Sequence, residues 1–122
     1  MLLINFLFMN QPAIYYPLNQ QKIVIDKETG CSFWSISGKT LQFTRFEVSP
    51  GTTFKKHRHD SEQITYVLEG ELFFKIENDV FKLSGGDSIV IPDNTEHAVW
   101  TESSAAKAVD AWSPINKKYS SI

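Results

Sequence analysis

Short apolar or alternating runs, each broken by turn residues, recur along the whole chain, and no run sustains a helical period. The alternation predicts strands over 23–26, 33–37, 41–48, 53–59, 63–68, 71–77, 80–83, 88–91, 98–101 and 106–112. Between them "ETG", "SG", "SPG", "EG", "END", "SGG" and "PDN" supply turn chemistry. A turn of helix is expected only in "YPLNQQ" or at the C-terminus. Many short strands at close spacing read as an all-β sandwich or barrel, here a single domain over 21–116. Residues 1–20 form an N-terminal extension and 117–122 a C-terminal tail.

Alternation also assigns faces. Gln63, Thr65 and Val67 share one side of their strand, with Ile64, Tyr66 and Leu68 on the other. Leu72, Phe74 and Ile76 line up together, as do Ala108, Asp110 and Trp112. The last set places an acid between apolar neighbours on a face expected to point inward. Tyr66 is expected to be a packing residue, and Arg45 faces outward or into a subunit interface.

Composition narrows the field without naming a function. A chain of 122 residues with 42% hydrophobic and 21% charged content is long enough to bury a core unaided. A net charge of −2 gives no footprint for nucleic acid and no polybasic membrane patch. Cys31 is the only cysteine; it reads as a small buried hydrophobe in a reducing, cytoplasmic compartment. The opening "MLLINFLFMN" is too short to span a bilayer and lacks a charged n-region and a small-residue cleavage site. Either Met9 is the true start, or residues 2–8 form an extra strand that can pair with a second subunit.

Two of the three histidines, His57 and His59, stand one residue apart on an expected strand. Their rings project from one side with Cα atoms roughly 6.5–7 Å apart, a spacing that lets both reach one ion at about 2.0–2.1 Å. Lys55 shares their face by alternation and could hold a substrate carboxylate. The wider spacing runs Gly51, five residues, His57, one, His59, three, Gln63, six, Gly70, and then Gly86, five residues, Pro92, one, Asn94, two, His97.

This two-part pattern resembles the signature of the cupin superfamily, small single-domain β-barrels with one metal site in the mouth. The resemblance covers 51–101 directly and the flanking strands by pattern. It implies a double-stranded β-helix barrel with one divalent transition metal (Zn, Ni, Fe or Mn) on His57, His59 and His97. The motif glutamate is Gln63 here, with Glu62 one step earlier. If Gln63 faces the histidines, alternation turns Glu62 away, whereas a bulge would exchange them. Asn94 stands where the second motif has a glycine and tolerates the same left-handed turn.

"HRHDSEQITYVLEGEL" together with "VDAWSP" looks most like the pectin-degradation type of cupin, which linearises 4,5-unsaturated uronates. That resemblance implies a His57, His59, Gln63, His97 metal set, with Asp110 as general acid/base and Trp112 against the substrate. The family commonly has an arginine fit to hold a substrate carboxylate where this chain has Asn116, which the resemblance makes a substrate contact, followed by Lys117 and Lys118. Four neutral donors leave the ion's charge uncompensated, which favours Lewis-acid chemistry over stabilisation of a higher oxidation state. The expected activity is therefore a non-redox isomerase, lyase or cyclase acting on a small carbonyl or sugar-derived substrate. A metal-dependent dioxygenase and a non-catalytic binding or sensing module are the alternatives. A homodimer is expected, with no nucleic-acid or membrane partner.

Overall fold

The computed structural model describes residues 12–120. The expected extra strand over 2–8 lies outside the described residues. Nine strands follow in order: β1 Val24–Ile25, β2 Ser32–Ser37, β3 Gln42–Val48, β4 Thr53–His57, β5 Glu62–Ile76, β6 Asp79–Ser84, β7 Ser88–Ile91, β8 His97–Trp100 and β9 Ala106–Ser113. Single 3-10 turns at Leu18–Gln20 and Lys117–Tyr119 fall where a turn of helix was expected. No helix among the described residues is long and apolar enough to cross a membrane.

All pairings are antiparallel, in the order β1-β2-β3-β9-β5-β8-β4, with β6 and β7 also pairing β5. The sheet closes because β5 serves two halves of the barrel. Its first half pairs β9 and β7, and its second half pairs β8 and β6. Sequence alternation splits this segment into two strands at "EG", but the structure keeps one strand of 15 residues. The register instead slips between Val67 and Glu69, so a bulge replaces the turn.

Gly70 makes that corner possible. It sits at φ 78°, and a Cβ there would overlap the carbonyl oxygen of Ala105 where β9 begins. Left-handed backbone alone costs an ordinary residue about 1–2 kcal/mol. Gly70→Ala is expected to destabilise the protein by more than that, about 2–4 kcal/mol once the backbone must shift. Urea unfolding checks it, and a loss below 0.5 kcal/mol, a surface-like value, would contradict the role given to this corner.

Inside, the rows across the sheet set what the barrel contains. The deepest row pairs Phe33, Phe46, Ala108 and Val67, all buried. With Leu72, Phe74, Leu83, Val99, Trp112 and Tyr119 they form two apolar clusters, and Phe54 packs against both. The next row is polar: Ser35, Thr44, Asp110 and Thr65, each less than 9% exposed. Above it lie Gln42, Trp112, Gln63 and Ile91. A buried polar row beside an apolar one is costly unless its members satisfy one another. Tyr66, expected to pack, is instead 43% exposed on the outer face.

Candidate metal centre

The three histidines come from different places and meet at the barrel mouth. His57 ends β4 and pairs directly with His97, the first residue of β8, while His59 lies on the loop leading to β5. Their ring centroids are 4.3 Å (His57–His97), 4.9 Å (His59–His97) and 5.6 Å (His57–His59) apart. One ligand nitrogen from each lies within 4.8 Å of the others.

Backbone contacts decide the tautomers. Each Nδ1 faces a carbonyl oxygen: Lys55 at 2.6 Å for His57, Ser61 at 2.9 Å for His59 and Thr95 at 2.8 Å for His97. A carbonyl only accepts, so each Nδ1 carries a proton and each Nε2 is left to face the others. Burial holds His97 down to about 4 and lowers His57 below its ordinary value, which keeps both lone pairs bare at neutral pH.

His97 is 2% exposed, and its Nε2 is buried without a hydrogen-bond partner among the described residues. An orphaned buried acceptor costs about 1–3 kcal/mol. The cost is relieved if a cation takes the lone pair, so the three residues fit a metal ion on their own geometry.

Gln63 faces the histidines and is 4% exposed, whereas Glu62 is exposed on the other side. Gln63 Oε1 stands 3.1 Å from His59 Nε2. A cation held by the imidazoles would lie within reach of both atoms. The amide orientation follows from a chain beneath it. Thr65 donates its single proton to Asp110 Oδ1, so its oxygen accepts from Gln63 Nε2 at 2.9 Å. That leaves Oε1, not the NH2 group, turned towards the imidazoles. Thr65 is a positioning residue that alternation placed on this face without giving it a task.

Asp110 is 7% exposed and sits between Thr44 and Thr65 in register. Burial pushes its carboxyl up to about 7 despite the opposing hydrogen bond from Thr65. Trp112 is buried, donates Nε1–H to Thr44 Oγ1 at 3.0 Å, and meets the His59 ring edge-on at 5.4 Å. Tyr119 returns from the C-terminal 3-10 turn to stack on Trp112 at 5.4 Å. It is buried, although its local sequence reads as polar tail; the lone aromatic in "NKKYSS" was the available signal.

Two expected substrate contacts lie elsewhere. Lys55 is exposed and does not line the cavity, because the register slips between Phe54 and His57 and breaks the alternation that placed it there. Only its carbonyl serves the site, through His57. Asn116 is also outside the cavity lining. Its side chain accepts from Lys118 N at 3.1 Å, and its backbone is held on both sides by Gln42.

The raised Asp110 carboxyl has a testable sign. In the metal-free protein the folded state keeps a proton that the unfolded chain, with an ordinary value of 3.8, releases. Asp110 therefore withdraws stability as pH rises from about 4 through about 7. His97 acts oppositely, withdrawing stability as pH falls from 6.5 towards about 4. Asp110→Asn removes the first effect, so its stability relative to the parent is expected to rise by about 2 kcal/mol between pH 5 and 8. Denaturant unfolding in chelator at the two pH values decides it; a pH-independent difference would mean the carboxyl titrates normally.

Comparison with known proteins gives a consistent frame. A solved RmlC-like cupin from Shewanella frigidimarina superposes with a TM-score of 0.80 at 22% identity, covering 92% of this chain and 100% of that one. KdgF from Halomonas sp. superposes with a TM-score of 0.78 at 22% identity, covering 88% and 98%. At these identities the likeness speaks for the fold. An acireductone dioxygenase of Heterostelium pallidum is 37% identical over 76 residues, 52% of this chain and 52% of that protein. The chain spans about half the length, or less, of the curated relatives it matches. The cupin domain model matches residues 44–112, more than half of the chain, which contains the whole histidine constellation, Asp110 and Trp112. The chain belongs to the cupin domain family.

Proposed function

We propose that this cupin is a metal-dependent isomerase, lyase or cyclase that moves a proton on a small carbonyl or sugar-derived substrate. One observation carries the reading: a buried carboxyl that titrates near neutrality, Asp110, lines the same cavity as His57, His97 and Gln63. A proton-transfer group works best when its pKa lies near the working pH. His57, His59, His97 and Gln63 would hold one divalent transition metal. When bound, that ion supplies Lewis-acid stabilisation of negative charge developing on a substrate oxygen.

The chain's own residues do the remainder. Asp110 in its ionised form takes a proton from the carbon or hydroxyl beside the carbonyl and returns it to the neighbouring atom. Thr65 steadies the carboxylate in line with Gln63, and Trp112 offers a flat face already held by Thr44. The expected homodimer becomes a proposal as well: Phe43, Ala111, Ile64 and Val90 lie in one row across the outer face, all exposed, and offer a second copy an apolar stripe.

The likeness to acireductone dioxygenases supports a second reading, oxygen-dependent chemistry at the same ligands. The test loads the protein separately with Zn, Ni, Fe and Mn and follows solvent deuterium entering hydroxyketones, hemiacetal sugars and unsaturated uronates by NMR under nitrogen. Exchange without oxygen is the expected result. Silence under nitrogen with oxygen uptake in air would hand the site to the dioxygenase reading, and silence in both would leave a binding module.

A further inference from the structure

The cavity below the histidines is lined on its apolar side by Phe46, Val48, Phe54, Leu72, Val99 and Tyr119, and among the described residues no lysine or arginine lines it. Its free volume is about 40 Å³, room for a compact group only. The basic side chains nearest in sequence to the site point away or are otherwise engaged. Lys56 and Arg58, which flank His57, pair with Glu96 at 3.7 and 3.8 Å, Lys55 is exposed outside the lining, and Lys118 pairs with Glu28 at 3.6 Å on the surface. Asn116 is tied down by Gln42 and Lys118.

A carboxylate seated in this space would lose its water without gaining a cationic side chain. It would also approach Asp110, which already has no counter-ion in the row beneath the metal site. Two carboxyl groups sharing a low-dielectric pocket cannot both ionise without strong repulsion. An uncharged body meets the opposite conditions, since every surface around it except Thr65, Gln63, Asp110 and the imidazoles is apolar or aromatic.

We infer that the cavity lining itself, apart from the charge of any bound metal, selects an uncharged, compact, apolar-bodied carbonyl compound and discriminates against carboxylates, the uronates among them. The inference rests on reading the site as one that handles a carbonyl group, and it names the class of compound that fits.

Levulinate and 5-methylhexan-2-one form a matched pair of probes, one ending in a carboxylate and the other in an isopropyl group of similar shape. Both are titrated into zinc-loaded and metal-free protein while the methyl signals of Leu72 and Val99 are followed by NMR, so that only binding inside the cavity counts. The neutral ketone is expected to shift these signals with a Kd at least ten-fold below that of levulinate in the metal-free form, and the margin narrows in the zinc-loaded form, where the ion's charge attracts the carboxylate. Equal or tighter binding of levulinate in the metal-free form, or no shift with either probe, overturns the inference. A protein that takes up no zinc would sink the Lewis-acid reading, yet the metal-free titration would still decide the selectivity. Failed selectivity with one zinc bound would leave the metal reading standing.

Discussion

Replacing His97 with alanine is expected to reduce bound transition metal from about one equivalent per chain to a tenth or less, after loading and desalting. The size of the effect follows from what His97 contributes. Its ring is buried, its Nδ1 proton is committed to Thr95, and its Nε2 has no partner among the described residues. Burial lowers its pKa to about 4, so protons do not compete for that lone pair at neutral pH. Losing a residue that merely orients a ligand costs 10–100-fold in affinity, and losing the ligand itself should exceed about 100-fold. Lys55→Ala is the matched control, since that side chain is exposed beyond the cavity and should leave the metal content unchanged. Elemental analysis of both variants and the parent, loaded with Zn, Ni, Fe or Mn, makes the comparison. Full occupancy in His97→Ala would show that the three imidazoles do not act as one set, whatever their geometry.

Alternation revealed the interior of β5 and β9 because each residue's side is set locally. Gln63, Thr65 and Val67 are buried, as are Ala108, Asp110 and Trp112. What alternation missed came from places where the strand period breaks. The buried positions of β5 are odd-numbered up to Val67 and even-numbered from Leu72, a change of phase that requires one extra residue. The glycine in "EG" therefore marks a corner rather than a hairpin, and the parity of the apolar residues carried that information. The same failure misplaced Lys55, because Phe54 and His57 both line the cavity although three positions separate them. Tyr119 is a different case. Nothing local drives it inward; it is captured by Phe33, Phe46 and Trp112, which only the closed barrel brings together.

Removing the Asp110 carboxyl is expected to lower kcat by about 10²–10⁴-fold, the usual worth of a positioned proton-transfer group, while the metal stays bound. Asp110→Ala alone does not prove the point. The carboxylate also receives the Thr65 hydroxyl proton, and Thr65 holds the Gln63 amide. Deleting it could thus act at a distance, by letting Gln63 turn its NH2 group towards the histidines. Asp110→Asn separates the two roles, because the amide oxygen still accepts from Thr65 but cannot carry the proton. If Asp110 transfers the proton, both variants are nearly inactive and both keep about one equivalent of metal. If it only positions Gln63, the asparagine variant recovers turnover, and the alanine variant loses metal affinity together with activity. The pH profile gives an independent mark. Activity limited by the ionised carboxylate rises with pH through its pKa, which burial sets at about 7 without metal and a bound cation draws lower. That rising limb belongs to the parent, and in Asp110→Asn the residual rate should cross the same range flat.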